Sequence, residues 1–145
     1  MIPRMAAPKK LSKAQYEMLA AFRFALRQFL KFSEDAAHTA GITPQQHQAL
    51  LAIKGFPGRD RVTVGELAER LQVAHHSAVG LIDRLVTENL VAREPSEEDR
   101  RRVFIALTAH GEKVLEQLAS AHHEQLRRIG PEIRTLLERL GNGEE

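Results

Sequence analysis

The side chains with chemistry to offer are a histidine pair followed by a serine, His75-His76-Ser77, and a run of three arginines, Arg100-Arg101-Arg102. Five further histidines bring that total to seven. A serine beside a histidine suggests a nucleophile and its base, but adjacent positions on a helix splay apart and do not face each other. There is no glycine-rich phosphate loop. Cysteine is absent, which removes thiolate metal sites, a cysteine nucleophile and thiol-based redox sensing. No catalytic residue and no cofactor is expected. Seven histidines invite a metal reading. His47 lies with Leu50 and Leu51 on the apolar side of a helical pattern, and His122 lies between Leu118 and Leu126 on another. The arginine run can reach phosphates. It sits in a stretch, Arg93 to Arg102, with four arginines and four acids, so taken alone it also reads as a solvated loop.

The elements that position these residues follow from periodicity and caps. Residues 1–11 hold prolines and lysines without a pattern and read as a loose arm. Ser12 with Gln15 forms a capping box that opens a helix running to about His38, about 40 Å long at 1.5 Å per residue. Its middle, Met18 to Leu26, is apolar nearly all round, so it needs cover on two sides, most simply from a second subunit. Gly41 ends it. Thr43, Pro44 and Gln46 open the next helix, which runs to about Lys54. A loop follows over residues 55–60, and Thr63 with Glu66 opens a short helix over Val64–Leu71. A further helix begins near His75 and buries Ala78, Leu81, Ile82, Leu85 and Val86 as one stripe. Its other face carries His76, Ser77, Gly80, Asp83 and Arg84. Asn89 closes it, a residue that tolerates the left-handed backbone.

Leu90–Arg93 and Val103–Leu107 read as two strands joined by a polar turn. A lone hairpin is marginal in water, so it must pack on the helices before it. Thr108 caps a long helix to about Ile129, Gly130-Pro131 breaks it, and Ile133, Leu136, Leu137 and Leu140 form a last apolar stripe. Two short helices joined by a tight turn and followed by a hairpin make a winged helix-turn-helix arrangement. A helix fits the major groove of duplex DNA, where each base pair shows a distinct pattern of donors and acceptors. Ser77 and Gly80 are small enough to let that helix come close, and wing arginines suit the narrow minor groove.

The segment His75–Leu85, then Asn89-Leu-Val-Ala-Arg93, Asp99-Arg-Arg101, Ala106-Leu-Thr108 and Gly111, closely resembles the MarR family of bacterial transcriptional regulators. Thr43-Pro-Gln-Gln46 also looks like the family, and the resemblance spans about residues 12–140. Asn89 departs from the usual glycine but meets the same backbone need. The resemblance implies a mainly α fold with a small β-hairpin wing. A winged helix-turn-helix DNA-binding domain would occupy 41–108, with its recognition helix at about 75–88 and its wing at about 90–107. A helix over 12–40 and C-terminal helices over 109–145 would form the homodimer. It implies binding to a pseudo-palindromic operator, with two recognition helices about 34–36 Å apart. Most members repress, and many release DNA on binding a small-molecule effector. DNA contact is expected from His75, His76, Ser77, Gly80, Arg84, Arg100, Arg101 and Arg102, with Asp99 orienting Arg101. His47 and His122 match histidine ligands of zinc-sensing members. The acidic ligands of such sites appear here as Gln46 and Gln117, though, and another histidine as Leu118, and an amide is a poor zinc ligand.

At 145 residues, 43% hydrophobic and 28% charged, the chain is expected to be one ordinary domain, or one domain with an appendage, and is too apolar for disorder. The net charge of +2 is small although the pI is about 9.2, so the placement of charge decides more than its total. No apolar run approaches a membrane span and no signal-peptide core opens the chain, so a cytoplasmic protein is expected. The leading expectation is a sequence-specific DNA-binding repressor released by a ligand. The alternatives are a winged-helix protein-interaction module without specific DNA binding, and a metal-responsive regulator.

Overall fold

A computed structural model describes residues 3–4 and 7–142. Met1, Ile2, Met5 and Ala6 of the expected arm, and residues 143–145 of the expected C-terminal region, lie outside the described residues. The elements run α1 (Lys13–Thr39), α2 (Pro44–Lys54), β1 (Arg61–Val62), α3 (Val64–Leu71), α4 (His75–Thr87), β2 (Val91–Pro95), β3 (Val103–Leu107) and α5 (Ala109–Asn142). The fold is mainly helical with a small antiparallel sheet. No helix among the described residues is long and apolar enough to cross a membrane.

Two compact units are present: residues 32–123, and the described residues up to Lys31 together with those from Glu124 onwards. The first is wider than the expected 41–108 because it takes in the end of α1 and the start of α5. Ala37 from the one and Val114, Leu115 and Leu118 from the other are buried in its core. They join Leu50 and Ile53 of α2, Leu67 of α3, Leu81, Ile82 and Leu85 of α4, and Val62, Val91 and Ile105 of the sheet.

The helix starts hold as the sequence implies. Ser12 and Gln15, Thr43 and Gln46, and Thr63 and Glu66 each exchange side-chain and backbone hydrogen bonds. Such reciprocal caps satisfy amide donors that the helix itself leaves open. Gly41 (φ 83°) and Asn89 (φ 58°) turn the chain through the left-handed region.

The structure adds to one expectation and corrects another. The wing hairpin is not left with two strands: β1 adds a third, in the order β1-β3-β2, with Val62 opposite Ile105. β2 is therefore an edge strand, which lets it end on Pro95 opposite Val103 without losing an interior ladder bond. Nor does Gly130-Pro131 break the C-terminal helix: α5 is one helix with Pro131 inside it. Proline removes one bond from a long ladder, and the residue before it is glycine, whose missing Cβ eases the clash that disfavours helix there.

Thr108 clasps the start of α5 to the end of α4. Its hydroxyl donates to Asn89 O (2.6 Å), its N–H donates to Leu90 O (3.1 Å), and its Oγ1 accepts from Gly111 N–H (3.0 Å). A Cβ on Gly111 would overlap Leu90 O, so glycine is required by backbone contact. In the second unit Met18 and Ala25 are buried, while Tyr16, Leu19, Phe24, Leu30, Leu126 and Leu137 stay 41–61% exposed.

Glu66 both caps α3 and pairs with Arg59, whose two terminal nitrogens reach its two carboxylate oxygens. That bidentate bond, with the Thr63 cap, lowers its pKa from 4.5 to about 2.

Gly111→Ala is expected to destabilise the protein by about 3 kcal/mol in urea unfolding through overpacking. Gly130→Ala meets no other part of the fold within 4 Å but puts back the Cβ whose absence relieves the Pro131 clash, so it should lose stability in the same assay instead of gaining the roughly 0.5–1 kcal/mol of an ordinary helical Gly→Ala change. Glu66 gives stability that is complete above its unfolded-state pKa of 4.5 and lost as pH falls towards about 2, because the unfolded chain takes up the proton first. Glu66→Gln should therefore be less stable at neutral pH, and the gap to the parent should close across that window in acid unfolding curves.

Candidate nucleic-acid interface

The face of α4 is set by what it buries. Ala78, Leu81, Ile82 and Leu85 go inward, which leaves His75, His76, Ser77, Asp83 and Arg84 exposed and Gly80 half-exposed. The N-cap, Ala74, supplies no side-chain hydrogen bond, and within the described residues nothing ties down the side chains of His75, His76 or Ser77. Glycine inside a helix costs about 1 kcal/mol against alanine. A Cβ on Gly80 would meet only the far end of Arg84, at 3.9 Å, so the chain's own packing does not call for glycine there. Its effect is a low, bare helix surface beside Ser77.

The wing turn is built around Asp99. Its N–H donates to Ser96 Oγ (3.3 Å), and its Oδ1 accepts from Arg101 N–H (3.0 Å) and Arg101 Nε (3.3 Å). Ser96 N–H donates to Arg102 O (3.0 Å) and Arg102 N–H to Asp99 O (2.9 Å), closing the loop. One carboxylate thus fixes the backbone of Arg101 and the root of its guanidinium, while the side chain stays 92% exposed. Exposed pairs of this kind add little stability; what this one does is aim the terminal nitrogens outward. Arg100 is exposed beside it.

Sequence reasoning missed Arg93, Arg61 and Arg59. Arg93 on β2 pairs with Asp83 on α4 and so joins the wing to the helix. Arg61 on β1 lies 4.5 Å from the Phe104 ring centroid, with Arg102 at 5.8 Å and Arg59 at 5.5 Å. Aromatic faces attract guanidinium groups at these distances. No local signal could have found Arg61, because β1 is two residues long and only its pairing with Ala106 puts Arg61 on the same sheet face as Phe104. Acids share the wing: Glu94, Glu97, Glu98 and Asp99 line a cleft of about 440 Å³ with Arg61, Arg102 and Phe104.

His47 and His122 do come together, with ring centroids 4.8 Å apart. His122 Nδ1 lies 2.7 Å from Leu118 O. A carbonyl only accepts, so Nδ1 carries a proton, and Nε2 lies in a second hydrogen bond, 2.8 Å from Ser33 Oγ. Both nitrogens are therefore committed. Gln46 turns to Glu88 instead, Gln117 is exposed, and among the described residues no three histidine, cysteine or acidic side chains are placed to hold a metal. Burial, and then the neighbouring His122, lower the His47 pKa below its ordinary 6.5.

The unfolded chain therefore protonates His47 before the folded one does. Stability is expected to fall as pH drops below 6.5 and to level off once the folded-state value is passed. His47→Phe, which keeps a ring in the stack and cannot titrate, should flatten that decline in denaturant midpoints measured across the range.

Residues 40–102 match the sequence profile of the MarR family. The chain is 36% identical over 84 residues to the transcriptional activatory protein BadR of Rhodopseudomonas palustris, covering 58% of this chain and 48% of BadR. It thus spans about half the length of that relative. AbsC, a MarR family transcriptional regulator from Streptomyces coelicolor, superposes with a TM-score of 0.68 at 26% identity, over 83% of this chain and 81% of AbsC. A mutant of MepR from S. aureus, solved bound to an oligodeoxyribonucleotide, gives 0.66 over 86% of this chain and 95% of its own. At 20% identity that likeness is one of fold. The profile lies across α2, the helix-turn-helix and the wing, and it is over this part that the chain is similar to the MarR family.

Proposed function

We propose that the chain is a sequence-specific, double-stranded DNA-binding transcriptional regulator that acts as a homodimer in the cytoplasm. The observation that carries this reading is the open face of α4, where Gly80 has no packing reason to be glycine and His76 and Ser77 stand free to meet base edges. Arg84 flanks that face. Arg101, aimed by Asp99, enters the minor groove, and Arg100 and Arg102 meet phosphates. The family supplies a structure, MepR, that holds an oligodeoxyribonucleotide. A second copy of the chain covers Tyr16, Leu19, Phe24, Leu30, Leu126 and Leu137, whose exposure is otherwise costly, and doubles the number of helices that read DNA. Repression follows where the operator overlaps the polymerase site, and activation, as the name of BadR indicates for that relative, where it lies upstream. A small-molecule effector that favours the DNA-free state would release the operator.

Fluorescence anisotropy against the duplex upstream of the gene and a scrambled duplex, at several salt concentrations, tests this. Expected are a strong preference for the upstream duplex and a steep loss of affinity with salt. Arg101→Ala should cost about 1–3 kcal/mol of operator binding. No binding to either duplex at low salt would favour the protein-interaction module.

A further inference from the structure

We propose that Gln46, which lies on α2 away from the open face of α4, is a positioning residue that sets the angle at which α4 meets DNA. The inference rests on the DNA-binding reading above and names a residue that governs its selectivity.

Gln46 is buried, at 4% exposure, and its amide is used at both ends. Oε1 accepts from Thr43 N–H at 2.9 Å, completing the α2 cap. Nε2 donates to Glu88 Oε2 at 2.5 Å, across 42 residues of sequence. The two bonds agree on one orientation of the amide, since a backbone N–H requires the oxygen and a carboxylate requires the NH2. Glu88 is the C-cap of α4. It sits on a rigid end: its N–H donates to Arg84 O, the N–H of Leu90 donates to Leu85 O, and Thr108 holds Asn89 O. A second tie, Arg93 to Asp83, holds the middle of the helix from the wing side. The opposite end, His75 to Ser77, has no side-chain tie within the described residues.

Polar side-chain ties thus hold α4 at one end and at its middle, and it reads DNA with the other end, which is seated by the apolar burial of Ala78. Apolar burial fixes how deeply it sits but is non-directional; the two polar ties fix its pitch. His76 lies twelve residues from Glu88, about 18 Å along the axis, so a tilt of about 5° at Glu88 moves His76 by about 1.5 Å. Hydrogen bonds to base edges weaken steeply over such a shift, whereas long arginines on phosphates follow it. Loss of the tie should therefore remove selectivity before it removes affinity for DNA in general.

Gln46→Glu is nearly isosteric. It keeps the acceptor for Thr43 but sets a carboxylate against Glu88. The probes are the tightest duplex that the parent selects from a random library, and its scrambled counterpart. Expected for Gln46→Glu is a fall of about tenfold in affinity for the selected duplex, the size of one mismatched base pair, with scrambled-duplex affinity at equal salt within about twofold. Acidification should restore selectivity in this variant and not in the parent, because two facing carboxylates then share a proton. Gln46→Glu with Glu88→Gln exchanges donor and acceptor and should recover the selected-duplex affinity, which a loss of general stability would not. If Gln46→Glu fails to fold, Glu88→Ala, at an exposed helix end, should show the same selective loss. A parent that selects no duplex overturns the DNA-binding reading and this role with it. A parent that selects one, with Gln46→Glu and Glu88→Ala equally selective or the exchanged pair no better than the single variant, overturns the positioning role alone.

Discussion

Four inward residues of α4, Ala78, Leu81, Ile82 and Leu85, are the constraint on which the residue 32–123 unit is arranged. They are nearly inaccessible to solvent, and the three large ones share one cluster with α2, α3, the sheet, the end of α1 and the start of α5. Burying such side chains contributes about 1.5–3 kcal/mol each, enough to hold a thirteen-residue helix that has no side-chain N-cap. The same stripe dictates what remains outside. With one face committed to the core, the opposite face is fixed as His76, Ser77, Gly80, Asp83 and Arg84. The stability of the core and the chemistry of the surface are two sides of one periodicity.

Polar contacts then do what apolar packing cannot, which is to set direction. The junction after α4 shows this most plainly. Asn89 adopts a left-handed turn, Thr108 clasps Asn89 and Leu90 from α5, and Gly111 lets the backbones touch. Glu88 in the same junction receives the Gln46 amide. Four elements, α2, α4, β2 and α5, therefore meet within a few residues. On the wing, Asp99 plays the corresponding part for Arg101. A small net charge of +2 is no obstacle to a DNA-binding reading, because arginines aimed one at a time at phosphates and the minor groove need placement rather than a large excess.

The histidine pair illustrates how neighbouring atoms decide chemistry. Two imidazoles side by side invite a metal, but His122 spends one nitrogen on Leu118 O and the other on Ser33. What is left is a hydrogen-bonded stack in which desolvation and the second ring oppose charge on the buried His47.

Much of the fold was legible because its signals are local. Caps such as Thr43–Gln46 and Thr63–Glu66 lie within one helical turn, Asn89 announces a left-handed turn, and the α4 stripe repeats at the helical period. Val103–Leu107 was readable as a strand from its own β-branched and aromatic residues. What sequence alone could not decide were the features settled by partners distant along the chain. Arg61–Val62 is too short to carry a strand pattern and becomes β1 only by pairing with Ala106 and Ile105. Gly130-Pro131 carries a strong local stop, yet α5 runs through it, because one lost bond is small against a ladder of 34 residues. Gln46 looked like a cap and proved also to be a tie, and Arg93 looked like a strand residue and proved to hold Asp83. Residue types and their periods thus determined the elements, their caps and the composition of the exposed face. Tertiary structure decided which polar groups meet, because a hydrogen bond depends on positions and angles that only the packed core brings together.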